Sequence, residues 1–360
     1  PGTMAIKYLK FETLDTSGIK VLPNMIERSG VLVPNQTAQY VAVNDGKKDL
    51  VLGMADMQIF RQNSYEFPKS TMENLKWVVI DANWNQKVVR EFMNFLRVEY
   101  SKVKIAYEPV SEKKGADIFR LPTKLDERAE ETSYPVAAFP NHKIDLITPN
   151  LGELREIFRA ATLYGYLSRK DYLKVFDTLK ISEPQIIQRY EEIAGEQLTK
   201  QDVPSHAIQL LPFIPTILTT VGFDGVLLSE IMKIDDPRLD DPRHQEWIVS
   251  RPSKADMHIG GIYMRLYSIP AKVGPAEIVS SNGAGDTFLG VLIAGLSRGL
   301  LLDEELIEIA QKGAAMTLKC KQSVSPSLGE LQTCLDRLAR NSVNTVPPNI
   351  FNQRPTCKTT

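Results

Sequence analysis

Cysteine is scarce: Cys320, Cys334 and Cys357 are odd in number, late and widely spaced. That leaves no disulfide framework and no CxxC metal or redox pair. Charge of one sign is missing as well, since 43 Lys and Arg stand against 44 Asp and Glu for a formal net charge of −1. Such a balance offers no basic face to release counterions from nucleic acid and no polybasic cluster for anionic lipid, so neither is expected as a partner. Long apolar runs are absent. The most apolar stretch, 207–218, is broken by Pro212 and Pro215 and falls short of the roughly 18–20 residues of a membrane span. The chain opens Pro1-Gly2-Thr3-Met4, without a charged segment followed by an apolar one. No secretory leader is therefore expected, and a cytoplasmic location is.

Several catalytic patterns are missing too. His142, His206, His244 and His258 are scattered, with no HExxH and no Cys/His spacing for zinc. GxSxG and GxxxxGK[ST] do not occur, which removes the anchor of a hydrolase triad and the P-loop. Asn35-Gln36-Thr37 matches a glycosylation sequon, which reads as chance in a chain with no leader.

What is present is ordinary globular composition, 43% hydrophobic and 24% charged over 360 residues. It suffices for one large α/β domain or two modest ones. Residues 37–43 and 50–54 flank Asn44-Asp45-Gly46 and predict a β-hairpin. From residue 75 strands and helices alternate: 77–80 extended, 86–100 helical, 102–107 and 144–148 extended, then a helix from Leu151. This rhythm predicts a mostly parallel sheet covered on both faces. Residues 155–206 read as a long, charge-rich helical region, and 213–228 as two strands around a Gly-containing turn. The segment 229–260 holds Asp235-Asp236-Pro237-Arg238 and again Asp240-Asp241-Pro242-Arg243, which predicts a polar surface insert. Helices are expected over 286–299 and 303–320, the second capped by Asp303, and an aperiodic tail over 341–360.

Three short segments carry chemistry. In Ser281-Asn282-Gly283-Ala284-Gly285-Asp286-Thr287-Phe288, small residues lead into an apolar helix. Glycines let successive N–H groups converge at a helix N-terminus, where an anion such as a transferring phosphoryl group can be held. Asp286 stands at the mouth of that turn and could take a proton from an attacking hydroxyl. The plain alternative makes Asp286 an N-cap and the glycines a tight loop. It is not the dinucleotide fingerprint, because the third glycine of GxGxxG would fall on Phe288.

In Thr148-Pro149-Asn150-Leu151-Gly152-Glu153, directly after a strand, Asn150 and Glu153 have the spacing of a capping box. Alternatively they put an amide and a carboxylate at the C-terminal end of a sheet strand, ready to order Mg²⁺, its waters and phosphate oxygens. Thr219-Thr220-Val221-Gly222-Phe223-Asp224-Gly225 reads either as a hairpin turn or as an edge where glycine admits a nucleotide close to the backbone.

Together these segments resemble the PfkB family of sugar and nucleoside kinases, the ribokinase-like fold. Gly283-Ala284-Gly285-Asp286 is similar to its GAGD signature, Asn150 with Glu153 to its NxxE motif, and Thr220, Gly222 and Gly225 to its TxGxxG edge. Ala55-Asp56-Met57, Asp81-Ala82-Asn83, Glu108-Pro109-Val110-Ser111 with Lys114, and 211–215 resemble the pseudouridine kinase branch. That branch includes the kinase half of bifunctional fungal-type proteins that also carry a pseudouridine-5′-phosphate glycosidase. The resemblance covers about residues 8–335.

It implies an α/β, three-layer αβα sandwich over 1–340 with a β lid near 20–60, apparently without its N-terminal segment. It implies Asp286 as base for a sugar 5′-hydroxyl and Gly283, Ala284 and Gly285 as an anion hole. Asn150, Thr220, Gly222 and Gly225 would bind nucleotide, Glu153 would act indirectly on Mg²⁺, and Asp56 would bind substrate. The helix around 310–314 would lie near the adenine. Cofactors by this resemblance are ATP and Mg²⁺, with K⁺ an activator to which family members often respond.

The expected reaction is phosphorylation of a ribosyl nucleoside, pseudouridine first, with ribose or adenosine as other acceptors. The contrasting expectation is a non-catalytic, nucleotide-binding fragment without its sugar site. Expected partners are a small nucleoside or sugar, a second copy joined through the lid, and a fused or associated glycosidase. Two departures stand out. The family's early glycine pair has no counterpart, since the only Gly-Gly is Gly260-Gly261, and Val291 replaces the small residue usual inside the helix after the signature.

Overall fold

The computed structural model describes residues 2–11, 14–23, 25–28, 31–46, 50–61, 74–120, 135–252, 258–270 and 273–344. The chain falls into two units, Pro1–Ile269 and Pro270–Thr360.

The first unit opens with helix α1 (Gly2–Phe11) and two separate antiparallel pairs: β1 (Met25–Arg28) with β2 (Val31–Pro34), and β3 (Gln39–Asn44) with β4 (Leu50–Asp56). The second pair is the hairpin expected around Asn44-Asp45-Gly46, its register running from Gln39 opposite Asp56 to Asn44 opposite Leu50.

Four parallel strands follow: β5 (Trp77–Asp81), β6 (Lys104–Glu108), β7 (Leu146–Ile147) and β8 (Thr216–Thr220). Their connections carry helices α2 (Gln86–Glu99), α3 (Glu112–Ala116), α4 (Leu151–Leu163), α5 (Lys170–Thr178), α6 (Pro184–Ala194), α7 (Glu196–Thr199) and α8 (Val203–Leu210). Strands β9 (Val226–Lys233), β10 (Ile248–Ser250) and β11 (Ile259–Tyr267) extend the sheet antiparallel, giving the order β10-β11-β9-β8-β7-β6-β5.

The core forms because period-two strands meet amphipathic helices. Ile80, Ile105, Tyr107, Ile147, Ile217 and Leu227 pack with Val89, Met93 and Leu96 of α2, Leu154 and Ile157 of α4, and Ile208 of α8. The N-terminal ends of the strands are tied by Asp145. Its carboxylate accepts from the Ile105 N–H at 2.8 Å, Arg97 at 2.6 Å and Lys104 at 2.8 Å, with His142 at 3.4 Å. Burial works to raise this carboxyl, but the His142 hydrogen bond and the Lys104 and Arg97 charges hold it below the usual carboxylate range.

The segment 229–260 is not a surface insert. Residues 229–233 complete β9, with Ile231 and Met232 both buried, and 248–250 and 259–260 are sheet as well. Among the described residues, 234–247 behave as the turn chemistry suggests. In each Asp-Pro-Arg copy the aspartate accepts from the arginine N–H at 3.0 Å and opens a 3-10 turn. The prolines mark those turns, whereas a boundary drawn at residue 229 cuts β9 in two and leaves Ile231 and Met232 to be read with the turns that follow.

The second unit holds α9 (Ala284–Ser297), α10 (Glu304–Leu318) and α11 (Leu331–Asn344). Asp303 caps α10 by accepting from the Leu306 N–H at 3.0 Å. Helix α11 continues through 341–344, so that part of the expected tail is helical, and 345–360 lie outside the described residues. Helices α9 and α10 lie close together: a Cβ on Gly313 would be 3.0 Å from Val291 Cγ2, and one on Gly295 would collide with Leu306. The valine that departs from the family pattern therefore faces a glycine that makes room for it.

Candidate functional site

In the first unit, polar residues collect where the parallel strands end, the edge at which α/β sheets bind ligands. Asn150 and Thr220 stand side by side there through a parallel bridge, and the Thr220 N–H donates to the Pro149 carbonyl at 2.9 Å. Asn150 also opens α4. Its side chain accepts from the Glu153 N–H at 2.9 Å while the buried Glu153 carboxylate accepts from the Asn150 N–H at 3.0 Å. Both halves of the capping box are thus made. Gly152, in the same turn, leaves space that the Glu112 carboxylate fills; a Cβ there would strike it.

Neighbouring strand ends add residues to which sequence reading assigned no role. The Glu108 carboxylate accepts from the Thr148 hydroxyl at 3.2 Å and the Val110 N–H at 3.2 Å. Asp81 accepts from the Asn83 N–H at 2.8 Å, and the Asn83 side chain accepts from Lys114 at 2.6 Å. Their signal was position: each lies at or just past the last residue of a parallel strand, or in the helix after it.

The two glycines after β8 differ in cause. Gly222 lies in the left-handed region at φ 61° with open space around it. Gly225, at φ 114°, is buried, and a Cβ would collide with the Tyr267 carbonyl of β11. Close approach of two strands accounts for Gly225 without a nucleotide. Asp56 ends β4, exposed, and its carboxylate accepts from the Gln58 N–H at 3.1 Å. No described hydrogen bond joins it to Asn150 or Thr220.

In the second unit, α9 begins on Gly283, left-handed at φ 78°. A Cβ there would run into the Ser323 carbonyl, so only glycine allows this turn beside that loop. Ala284 and Gly285 start the helix and Gly285 has open space where a Cβ would be. Asp286 is exposed in the first turn, whereas Thr287, Phe288 and Leu289 are buried and root the helix. Four residues therefore combine a helix N-terminus, small side chains and one exposed carboxylate, which suits an anion and a proton transfer together.

Residues 267–328 match the model of the pfkB family carbohydrate kinases. The ribokinase of Cryptococcus neoformans var. grubii serotype A in complex with ADP superposes at a TM-score of 0.50, with 14% identity, over 92% of this chain and 79% of that one. A nucleoside kinase of Burkholderia thailandensis in complex with inosine gives 0.49, with 10% identity, over 93% of this chain and 76% of that one. The likeness to the Cryptococcus enzyme shows the ribokinase-like three-layer α/β sandwich, and the matched segment is similar to the pfkB carbohydrate kinases. The chain is also 27% identical over 336 residues to a pseudouridine-metabolizing bifunctional protein of Schizosaccharomyces pombe. The match covers 92% of this chain and 40% of that protein, so the chain spans about two fifths of the curated relative's length.

Proposed function

We propose that this chain transfers the γ-phosphoryl group of ATP to the 5′-hydroxyl of a ribosyl nucleoside, with pseudouridine as the acceptor. The observation that carries the reading is the start of α9, where Gly283 turns the backbone and Asp286 stands exposed one turn into the helix. The Asp286 carboxylate takes the proton of the attacking hydroxyl. The amides of Gly283, Ala284 and Gly285 receive the charge that spreads over the transferring group. Asn150 and Thr220, with Gly222 and Gly225 behind them, hold the nucleotide phosphates.

When bound, Mg²⁺ neutralises phosphate charge. Among the described residues no three His, Cys, Asp or Glu side chains converge as metal ligands. That fits an ion held through phosphate oxygens and water, with Glu153 in its outer surroundings. K⁺ is proposed only as an activator.

The acceptor assignment is supported by the relative that metabolizes pseudouridine. Its bifunctional character supports a glycosidase fused to or associated with this chain. The β3–β4 hairpin exposes Val41, Val43, Val51, Leu52 and Met54, which favours a lid that joins two copies. A cytoplasmic location is consistent with the described residues, which include no helix long and apolar enough to cross a membrane.

The test is ATP consumption with pseudouridine, ribose and adenosine for the full chain and for Asp286→Asn. Pseudouridine should give the highest kcat/KM, and the variant should lose on the order of 10²- to 10⁴-fold in kcat. Turnover unchanged in the variant would remove the base. Preference for ribose or adenosine would move the reading to another PfkB acceptor.

One observation favours a second reading, a nucleotide-binding module without a sugar site. Gly260 and Gly261, the only adjacent glycines, are pressed against the Lys233 and Ser250 carbonyls inside the sheet, so they are spent on strand packing. Calorimetry separates the two readings, because this one expects ATP to bind and pseudouridine not to.

A further inference from the structure

We propose that Thr317, in the last turn of α10, is the positioning residue of the phosphoryl-transfer turn. The inference rests on the reading of Gly283–Asp286 given above, and its geometry lies wholly within the second unit.

The end of α10 holds the signature from both sides. Before it, the Leu318 carbonyl accepts from the Val279 N–H at 2.8 Å and the Ser280 N–H at 3.3 Å. After it, the Thr317 hydroxyl lies 2.9 Å from the Thr287 hydroxyl, and Thr287 follows Asp286 directly. The Thr317 oxygen also accepts from the Ser325 N–H at 3.1 Å. Ser325 closes the loop whose Ser323 carbonyl abuts Gly283.

One buried oxygen therefore ties three parts together: the first turn of α9, the last turn of α10 and the loop against the glycine turn. Thr317 is fully buried, and Thr287 and Ser325 nearly so. No water can replace the bond that a lost hydroxyl would leave unmade, and an N–H left without its acceptor in such a place must move to find another. The Thr287 N–H donates to the Gly283 carbonyl at 2.9 Å, so motion at Thr287 passes straight to the anion-binding turn. Thr317 touches no substrate in this scheme. It fixes the direction of the Gly283–Gly285 amides and of Asp286, and electrostatic stabilisation of a transition state depends on such fixed direction.

The experiment compares Thr317→Val, which keeps the shape and removes the hydroxyl, with Thr317→Ser, which keeps the hydroxyl. Both are made in the full chain, with Thr287→Val as a second break in the same bond should Thr317→Val fold poorly. Hydrogen exchange of the Thr287 amide, which donates to the Gly283 carbonyl, measured without any ligand, is one readout; kcat and KM for ATP and pseudouridine are the other.

Thr317→Val should speed exchange at the Thr287 amide at least about tenfold and lower kcat at least about tenfold, while KM for ATP moves less than about threefold. Thr317→Ser should restore both. Exchange and kcat within about threefold of wild type in Thr317→Val, or a loss in thermal midpoint alone, would overturn the proposal. A wild-type chain that phosphorylates nothing sinks the proposed function instead, and exchange at the Thr287 amide still decides Thr317.

Discussion

Helices α4 and α9 both start at residues with the chemistry of an anion site, yet they start in opposite ways. At α4, Asn150 and Glu153 satisfy each other's backbone N–H groups, and the Glu112 carboxylate occupies the space over Gly152. At α9 the cap is Gly283, which brings no side chain, and the next two residues are Ala284 and Gly285. A helix N-terminus attracts negative charge whatever its source. The first helix has supplied that charge from its own sequence, and the second leaves room for it to arrive with a ligand. The difference leaves α9 the more open of the two helix starts.

That contrast can be broken by substitution. Gly283→Ala should have the largest effect after loss of Asp286. It places a side chain against the Ser323 carbonyl and asks a left-handed φ of alanine, a strain of about 1–3 kcal/mol before any repacking. The expected outcome is loss of ATP binding by calorimetry together with a lower thermal midpoint. Binding that survives intact would show that α9 is as closed as α4.

Asn150→Ala should cost less, about 1 kcal/mol for a lost N-cap, read as a lower denaturant midpoint with ATP binding weakened only modestly. If it abolished ATP binding at unchanged stability, Asn150 would be a primary phosphate ligand and the contrast would fail. Gly152→Ala should do least. Alanine in a helix gains up to about 1 kcal/mol over glycine, offset by displacing the flexible end of Glu112. In a Glu112→Ala background the same change should raise the denaturant midpoint, and a fall there would mean that backbone, not the carboxylate, fills the space.

The alternation of strands and helices from residue 75 was readable because the elements carry their own periods, and some helices their own caps, as Asn85 and Asp303 show. The β3–β4 hairpin was readable from three turn residues. Other features depend on partners distant in sequence. The two Asp-Pro-Arg copies are alike locally, but Arg238 lies over the Tyr263 ring and bonds Glu230 at 2.8 Å, while Arg243 is 84% exposed and, among the described residues, bonds Asp241 alone. Nothing within either copy says which one meets a strand. Gly225 reads locally as a turn or a nucleotide edge, and the Tyr267 carbonyl of β11, distant in sequence, is what leaves no room for a side chain there. Thr317 carries no motif, and its role comes from where two helix ends and a loop converge.

The pairing of Val291 with Gly313 has a consequence for how this protein can change. A larger residue at 313 meets Val291, Leu331 and Thr287 within 3.4 Å, and a smaller one at 291 leaves a void against a bare backbone. The two positions are therefore coupled, and the cost of a change at either depends on the residue at the other. The volume just inside the helix after the signature is thus shared between α9 and α10, so that a methyl group taken from one side can be supplied from the other.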